Sequence, residues 1–326
     1  MTDILDLAAA NLISPIILSF ALGLAAALAR SDLTIPEAVA KGMSIYLLFA
    51  IGFKGGVSIA SHGVDATLLS ALLAGLVLSF GLPFLAFALL RLMTGLDRTE
   101  AAAVAAHYGS ISIVTFVAAT SVLESSGIAA EGYMVAVAAA MEAPAILSAL
   151  WLVARGGGKG GMAPGLLREI LLNGSIVLLV GAFIIGGLTG EAGFKEIAPF
   201  IDSPFKGVLC LFLLDMGLIA GRGLRQAKGV VSIPMVGFGV LMPVISSVIG
   251  LGLGLLIGLS LGGVVLLMVL SASASYIAVP AAMRVALPQA NPAVYLTLSL
   301  GVTFPFNLTL GIPIYMALAA TAVGGA

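Results

Sequence analysis

The chain has 326 residues, 61% of them hydrophobic and only 9% charged, with a mean hydropathy of +1.21 and a formal net charge of −1. A soluble domain could not carry that much apolar surface without aggregating, so an integral membrane protein is expected; the net charge says nothing about partners, and no nucleic acid is expected among them. Apolar runs near the roughly 20 residues that cross a bilayer favour an all-α polytopic membrane protein over a barrel of short alternating strands.

Ten spans are expected, at about 12–29, 37–53, 67–90, 101–122, 133–154, 169–189, 205–220, 232–257, 263–286 and 294–320. Asp3 and Asp6, with no Lys or Arg before the first apolar run, lack the basic start of a cleavable signal, so the first span is expected to be retained. The second ends near Lys54, read as a snorkelling lysine. Within the fourth, Gly109 is followed by Ser110-Ile-Ser112-Ile-Val-Thr115. These small hydroxyl residues are expected to break the helix. The fifth carries Glu142-Ala-Pro144. Arg155 to Gly165 is a glycine-rich stretch without the GxxxxGK[ST] spacing of a phosphate loop, and reads as a cytoplasmic linker over 156–165.

Beyond the linker, the seventh span holds Asp215 and the lone Cys210, which reads as a small core hydrophobe. Gly250, Gly254, Gly258 and Gly262 allow close helix packing around the eighth. The ninth contains Ser273-Ala-Ser275-Tyr276 before Pro280, a second expected break about 163 residues after the first, and the tenth carries Pro305. In lipid an unwound backbone is tolerated only where protein or a cavity satisfies it. Two interrupted helices at matching places therefore point to a transporter's central site.

Five spans fall on each side of the linker. Leu47 to Gly56 aligns with Phe212 to Gly221 at an offset near 165, close to that of the breaks. An odd number per half makes the expected architecture a 5+5 inverted repeat, residues 1–155 and 166–326, with spans four and nine broken. Arg30, Lys41, Arg91, Arg98, Arg155, Lys159, Arg168, Arg222, Arg225 and Lys228 gather on one side against Lys54, Lys195 and Lys206, so both termini are expected outside the cytoplasm of a plasma (inner) membrane. Arg284 lies near the cytoplasmic end of the ninth span and can snorkel.

The hydroxyls and freed amides of each break, at a half-helix N-terminus, can hold a small anion without any basic side chain, and the freed carbonyls suit Na+. The bland alternative is that the serines only bond back to the preceding turn. Glu142, beside a proline-freed carbonyl, is the leading intramembrane carboxylate; Asp215 and His107 are further candidates. His62 and His107 lie 45 residues apart, and nothing resembles a metal site.

Tyr108 to Phe116, Glu142-Ala-Pro144, Ser271 to Ala282 and Pro288 to Tyr295 together resemble the sodium-dependent bicarbonate transporter superfamily, of the cyanobacterial SbtA type, over essentially the whole length. The resemblance implies Na+-driven bicarbonate uptake by alternating access, commonly by a homotrimer, with a gate of helices 1, 2, 6 and 7 and a core of helices 3–5 and 8–10. It places substrate binding on Gly109, Ser110, Ser112, Thr115, Ser273 and Ser275, and the coupling cation on Glu142, with Tyr276 at a position acidic in cyanobacterial members; Asp215 is the third cation candidate. Ala278 replaces a later serine. A PII-like regulator docks on the cytoplasmic face of that branch, where the loop is longer. No cofactor is implied beyond Na+. Na+- or H+-coupled transport of another small anion or carboxylate is the nearest alternative, followed by a non-transporting sensor. An intramembrane enzyme built on His107, Glu142 and Asp215 is a third reading.

Overall fold

The computed structural model describes residues 13–63, 65–142, 144–154, 168, 172, 174–226, 231–276 and 278–324. The linker at 156–165, Asp3, Asp6, Ala143, Lys228 and the side chains of Ala278 and Arg284 lie outside the described residues. Among those residues the secondary structure is helical. Seven helices are long and apolar enough to cross a membrane.

The helices are α1 (Pro15–Leu28), α2 (Glu37–His62), α3 (Ala66–Met93), α4 (Arg98–His107), α5 (Ile113–Ser125), α6 (Met134–Ala140), α7 (Pro144–Ala154), α8 (Gly174–Ile201), α9 (Phe205–Gln226), α10 (Ile233–Ile257), α11 (Leu261–Ala272), α12 (Ala278–Ala286) and α13 (Pro292–Gly324). Six of the starts carry a local signal. Ser14, Asp65, Asp97, Ser112, Ser260 and Asn291 each accept a backbone amide from the first turn that follows, satisfying donors that have no partner within the helix.

Several boundaries differ from the sequence expectation. The second span continues past 53 to His62, because Gly52 and Gly56 do not stop the helix but face the backbone of α8 at Leu179 and Phe183. Lys54 is consequently inside α2, where it pairs with Asp202 and lies over the Phe205 ring. The expected end of the sixth span at 189 coincides with Gly190, whose φ of +58° interrupts α8 before it continues to Ile201. Pro144 does not sit within a continuous helix. It opens α7 after α6 has ended at Ala140, as suits a residue with no amide to donate. Pro305 is accommodated inside α13 between two π-helical stretches, Thr297–Thr303 and Asn307–Gly311, which shift the hydrogen-bond register around the missing donor.

The packing has two parts. α1 lies against α9 and α2 against α8; α3 packs on α10, α5 on α11 and α4 on α12. Every residue from Ala101 to His107 in α4, and from Gly262 to Ala272 in α11, is buried, whereas α3 and α8 present Leu69, Leu73, Phe80, Ile184 and Leu188 outward. Helices buried all round form the centre, and helices with one exposed apolar side form the wall toward lipid. The centre is where α4 and α11 end.

Candidate functional site

α4 ends at His107 and α5 begins at Ile113; α11 ends at Ala272 and α12 begins at Ala278. The two intervening segments are hydrogen-bonded to each other. The Ser275 amide donates to the His107 carbonyl at 2.8 Å, and the Ser112 amide donates to Ser273 Oγ at 3.0 Å. Ser273 Oγ in turn donates to the Leu270 carbonyl at 3.0 Å. One segment thus supplies an amide to the carbonyl end of α4, and the other an amide to the Ser273 hydroxyl that ends α11, which is how unwound backbone is kept satisfied in an apolar interior.

The serines expected to hold the substrate also start the next helices. Ser112 Oγ accepts the Thr115 amide at 3.2 Å and the Thr115 hydroxyl at 2.9 Å. Ser275 Oγ accepts the Val279 amide over a longer 3.4 Å. Ser112 and Ser275 are 163 residues apart, as are the caps Asp97 and Ser260 at the starts of α4 and α11. Gly109 is required by packing: a Cβ there would run into Pro83 and the Ser79 carbonyl of α3.

Glu142 joins this cluster. The Ser110 hydroxyl donates to its Oε2 at 3.2 Å, and the side chain is 7% exposed. A hydroxyl and a carboxylate are hard-oxygen donors of the kind Na+ takes. Asp215 is buried in α9, where Arg222 of the same helix is the charge acting on it, and no described hydrogen bond joins it to the two segments. His107 stacks on Tyr295 with ring centroids 4.7 Å apart, and its Nδ1 lies 2.7 Å from the Ala103 carbonyl. Among the described residues no hydrogen bond links His107, Glu142 and Asp215.

Two cavities approach the centre. One, of about 690 Å3, is lined by Glu37, Met216, Arg222, Tyr276, Thr297 and others; the second, of about 280 Å3, by Ile51, Lys54, Phe116, Glu124, Glu131 and others. Their linings are in register: Ile51 with Met216 and Lys54 with Ile219 at 165 residues, Ala130 with Ala293 at 163.

The model of the Na+-dependent bicarbonate transporter superfamily matches residues 15–320, nearly the whole chain. The chain belongs to that superfamily. No curated protein matches it.

The centre also holds polar residues that the sequence reading did not single out. Asn307 of α13 is fully buried, and its Nδ2 donates to the Ala272 carbonyl at the end of α11 at 2.8 Å, while Tyr315 Oη donates to its Oδ1 at 2.7 Å. Tyr108 and Thr303 share a hydrogen bond of 2.8 Å, and Thr303 donates to the Gly239 carbonyl. A buried amide two residues after a proline in an apolar span was the available signal for Asn307. Nothing in sequence pairs Tyr108 with Thr303, which are 195 residues apart.

Proposed function

We propose that this superfamily member is a secondary transporter that takes up bicarbonate together with Na+ by alternating access. The observation that carries the reading is the meeting of two serine-capped helix starts, Ser112 and Ser275, in one buried cluster with Glu142. Amides and hydroxyls at two helix N-termini favour an oxyanion, and the nearby carboxylate supplies the negative charge that a desolvated Na+ needs. Gly109, Ser110, Ser112, Thr115, Ser273 and Ser275 would bind the anion, and Glu142 the cation.

The proposed architecture is two inverted five-span halves, with broken spans four and nine, a gate of spans one, two, six and seven, and the remainder as core. Its support is reciprocal packing: exchanging the halves turns the α1–α9 contact into the α8–α2 contact, and both occur. The same exchange relates the two cavities, whose unequal volumes suit a state open on the Arg222 face and narrowed on the Lys54 face. Movement of core against gate would reverse that inequality and carry the site across.

The test is uptake of radiolabelled bicarbonate into proteoliposomes with and without an inward Na+ gradient. Accumulation only with the gradient is expected. Accumulation of another small carboxylate but not bicarbonate would retain the transporter and replace its substrate.

A further inference from the structure

Five side-chain atoms among the described residues are buried without a hydrogen-bond partner, and one of them belongs to the non-helical segments at the centre: the hydroxyl of Tyr276. A buried hydroxyl that has given up water without gaining a partner is costly, so such a group usually marks a ligand or a working position. Ser121 and Ser246 lie within helices, where a small rotation brings the hydroxyl to a backbone carbonyl. Tyr276 cannot turn back to its own backbone, because its long phenol carries the hydroxyl away, and the Ser112 hydroxyl beside it already accepts the Thr115 amide and hydroxyl.

Tyr276 reaches both the larger cavity and the start of α5. Tyr276 lines the 690 Å3 cavity, and its ring is held edge-on to Phe304 of α13 at 5.2 Å; Phe304 is edge-on to Phe20 of α1 at 5.3 Å. The hydroxyl is buried and lies beside Ser112, the cap of α5, outside good hydrogen-bond geometry. Tyr276 therefore stands where the cavity meets the Ser112 cap, with its one strong donor buried at the cap.

We infer that Tyr276 is a specificity-determining ligand of the transported anion: its hydroxyl donates to an anion oxygen held at the Ser112 cap, and its ring closes the site toward the larger cavity. The inference rests on the proposed transport function and moves Tyr276 from the cation's candidate ligands to the anion's. A neutral O–H donor adds no charge that attracts Na+, but it gives an oxyanion a hydrogen bond that a halide-sized or oxygen-poor solute uses less well. Such an arrangement selects small solutes carrying a carboxylate-like pair of oxygens.

Tyr276→Phe tests this, since it keeps the ring and its Phe304 contact and removes only the hydroxyl. At saturating Na+, the apparent KM for bicarbonate should rise about 10-fold or more, the loss expected of one buried hydrogen bond, with the Na+ half-saturation at saturating anion unchanged. An unchanged KM overturns the inference. A shifted Na+ half-saturation with unchanged anion KM also overturns it, and makes the tyrosine a cation ligand. If the unmodified protein transports no bicarbonate, the transport reading fails separately, and the inference is then decided by thermal shift of purified protein with bicarbonate, acetate, nitrate and chloride. Stabilisation by an oxyanion that disappears in Tyr276→Phe sustains it, and no Tyr276-dependent stabilisation by any of the four overturns it.

Discussion

Gly23 and Gly186 stand 163 residues apart, and each turns its bare Cα onto the backbone of a helix from the other half of the chain: Gly23 onto Leu214 of α9, Gly186 onto Phe53 of α2. The partner helices answer in kind, with Gly217 on Phe20 and Gly52 on Leu179. Backbones this close need small residues on both sides, the packing by which membrane helices associate without a hydrophobic driving force.

Gly23→Val and Gly186→Val should therefore be comparably destabilising, by roughly 1–3 kcal/mol or more, since branched side chains would meet carbonyls that cannot move aside. Gly181→Val is the control, because nothing lies within 4 Å of a Cβ there. Thermal unfolding in detergent reads the result. Equal melting points for Gly186→Val and Gly181→Val would show that the α2–α8 contact is looser than described.

Ser112→Ala and Ser275→Ala should each weaken bicarbonate affinity by about 1–3 kcal/mol, one buried hydrogen bond apiece, while the protein still expresses. Part of the stability cost, about 1 kcal/mol, is loss of the helix cap. Ser112→Thr, which can retain the cap, separates the two effects: wild-type melting behaviour with impaired uptake assigns the serine to the anion. Ser112→Leu should abolish uptake, and full transport by that variant would remove this segment from the mechanism.

Asn307→Leu leaves the Ala272 carbonyl and the Tyr315 hydroxyl without the partners they have now, so a loss of about 1–3 kcal/mol is expected in thermal unfolding. Asn307→Asp keeps an acceptor for Tyr315 but removes the donor to Ala272 and adds a buried charge. It should be the more damaging of the two at neutral pH, and the order of their melting points checks this.

How much of this centre can be read from sequence depends on the range of the interaction. A helix cap is local, so serines in an apolar run signal the starts of α5 and α12. The Gly52-xxx-Gly56 pair is ambiguous by itself. Beside Lys54 it resembles a helix end, and only the approach of Leu179 and Phe183 makes it a packing face inside a longer helix. Asn307 is visible as a polar anomaly, but its bond to Ala272 spans 35 residues and follows no periodicity. The burial of the Tyr276 hydroxyl beside Ser112 is a tertiary fact with no signature in the chain.

The proposed transport function puts the choice of coupling ion on Glu142. Its carboxylate accepts the Ser110 hydroxyl within the same cluster that holds the two helix caps, so a cation bound there is close enough to feel the anion. Gln in its place can still accept that hydroxyl through its amide oxygen, yet it brings no negative charge to offset the dehydration of Na+. Glu142→Gln should therefore remove the Na+ dependence of uptake at constant pH without preventing folding. Asp215→Asn makes the same charge change on a helix with no described hydrogen bond to either segment, and comparing the two assigns the loss to position rather than to charge. A carboxylate can also carry a proton across, and the two possibilities predict opposite responses of the unmodified protein. Uptake that ignores Na+ and follows an imposed pH gradient would make Glu142 a proton carrier and replace Na+ as the coupling ion of this chain.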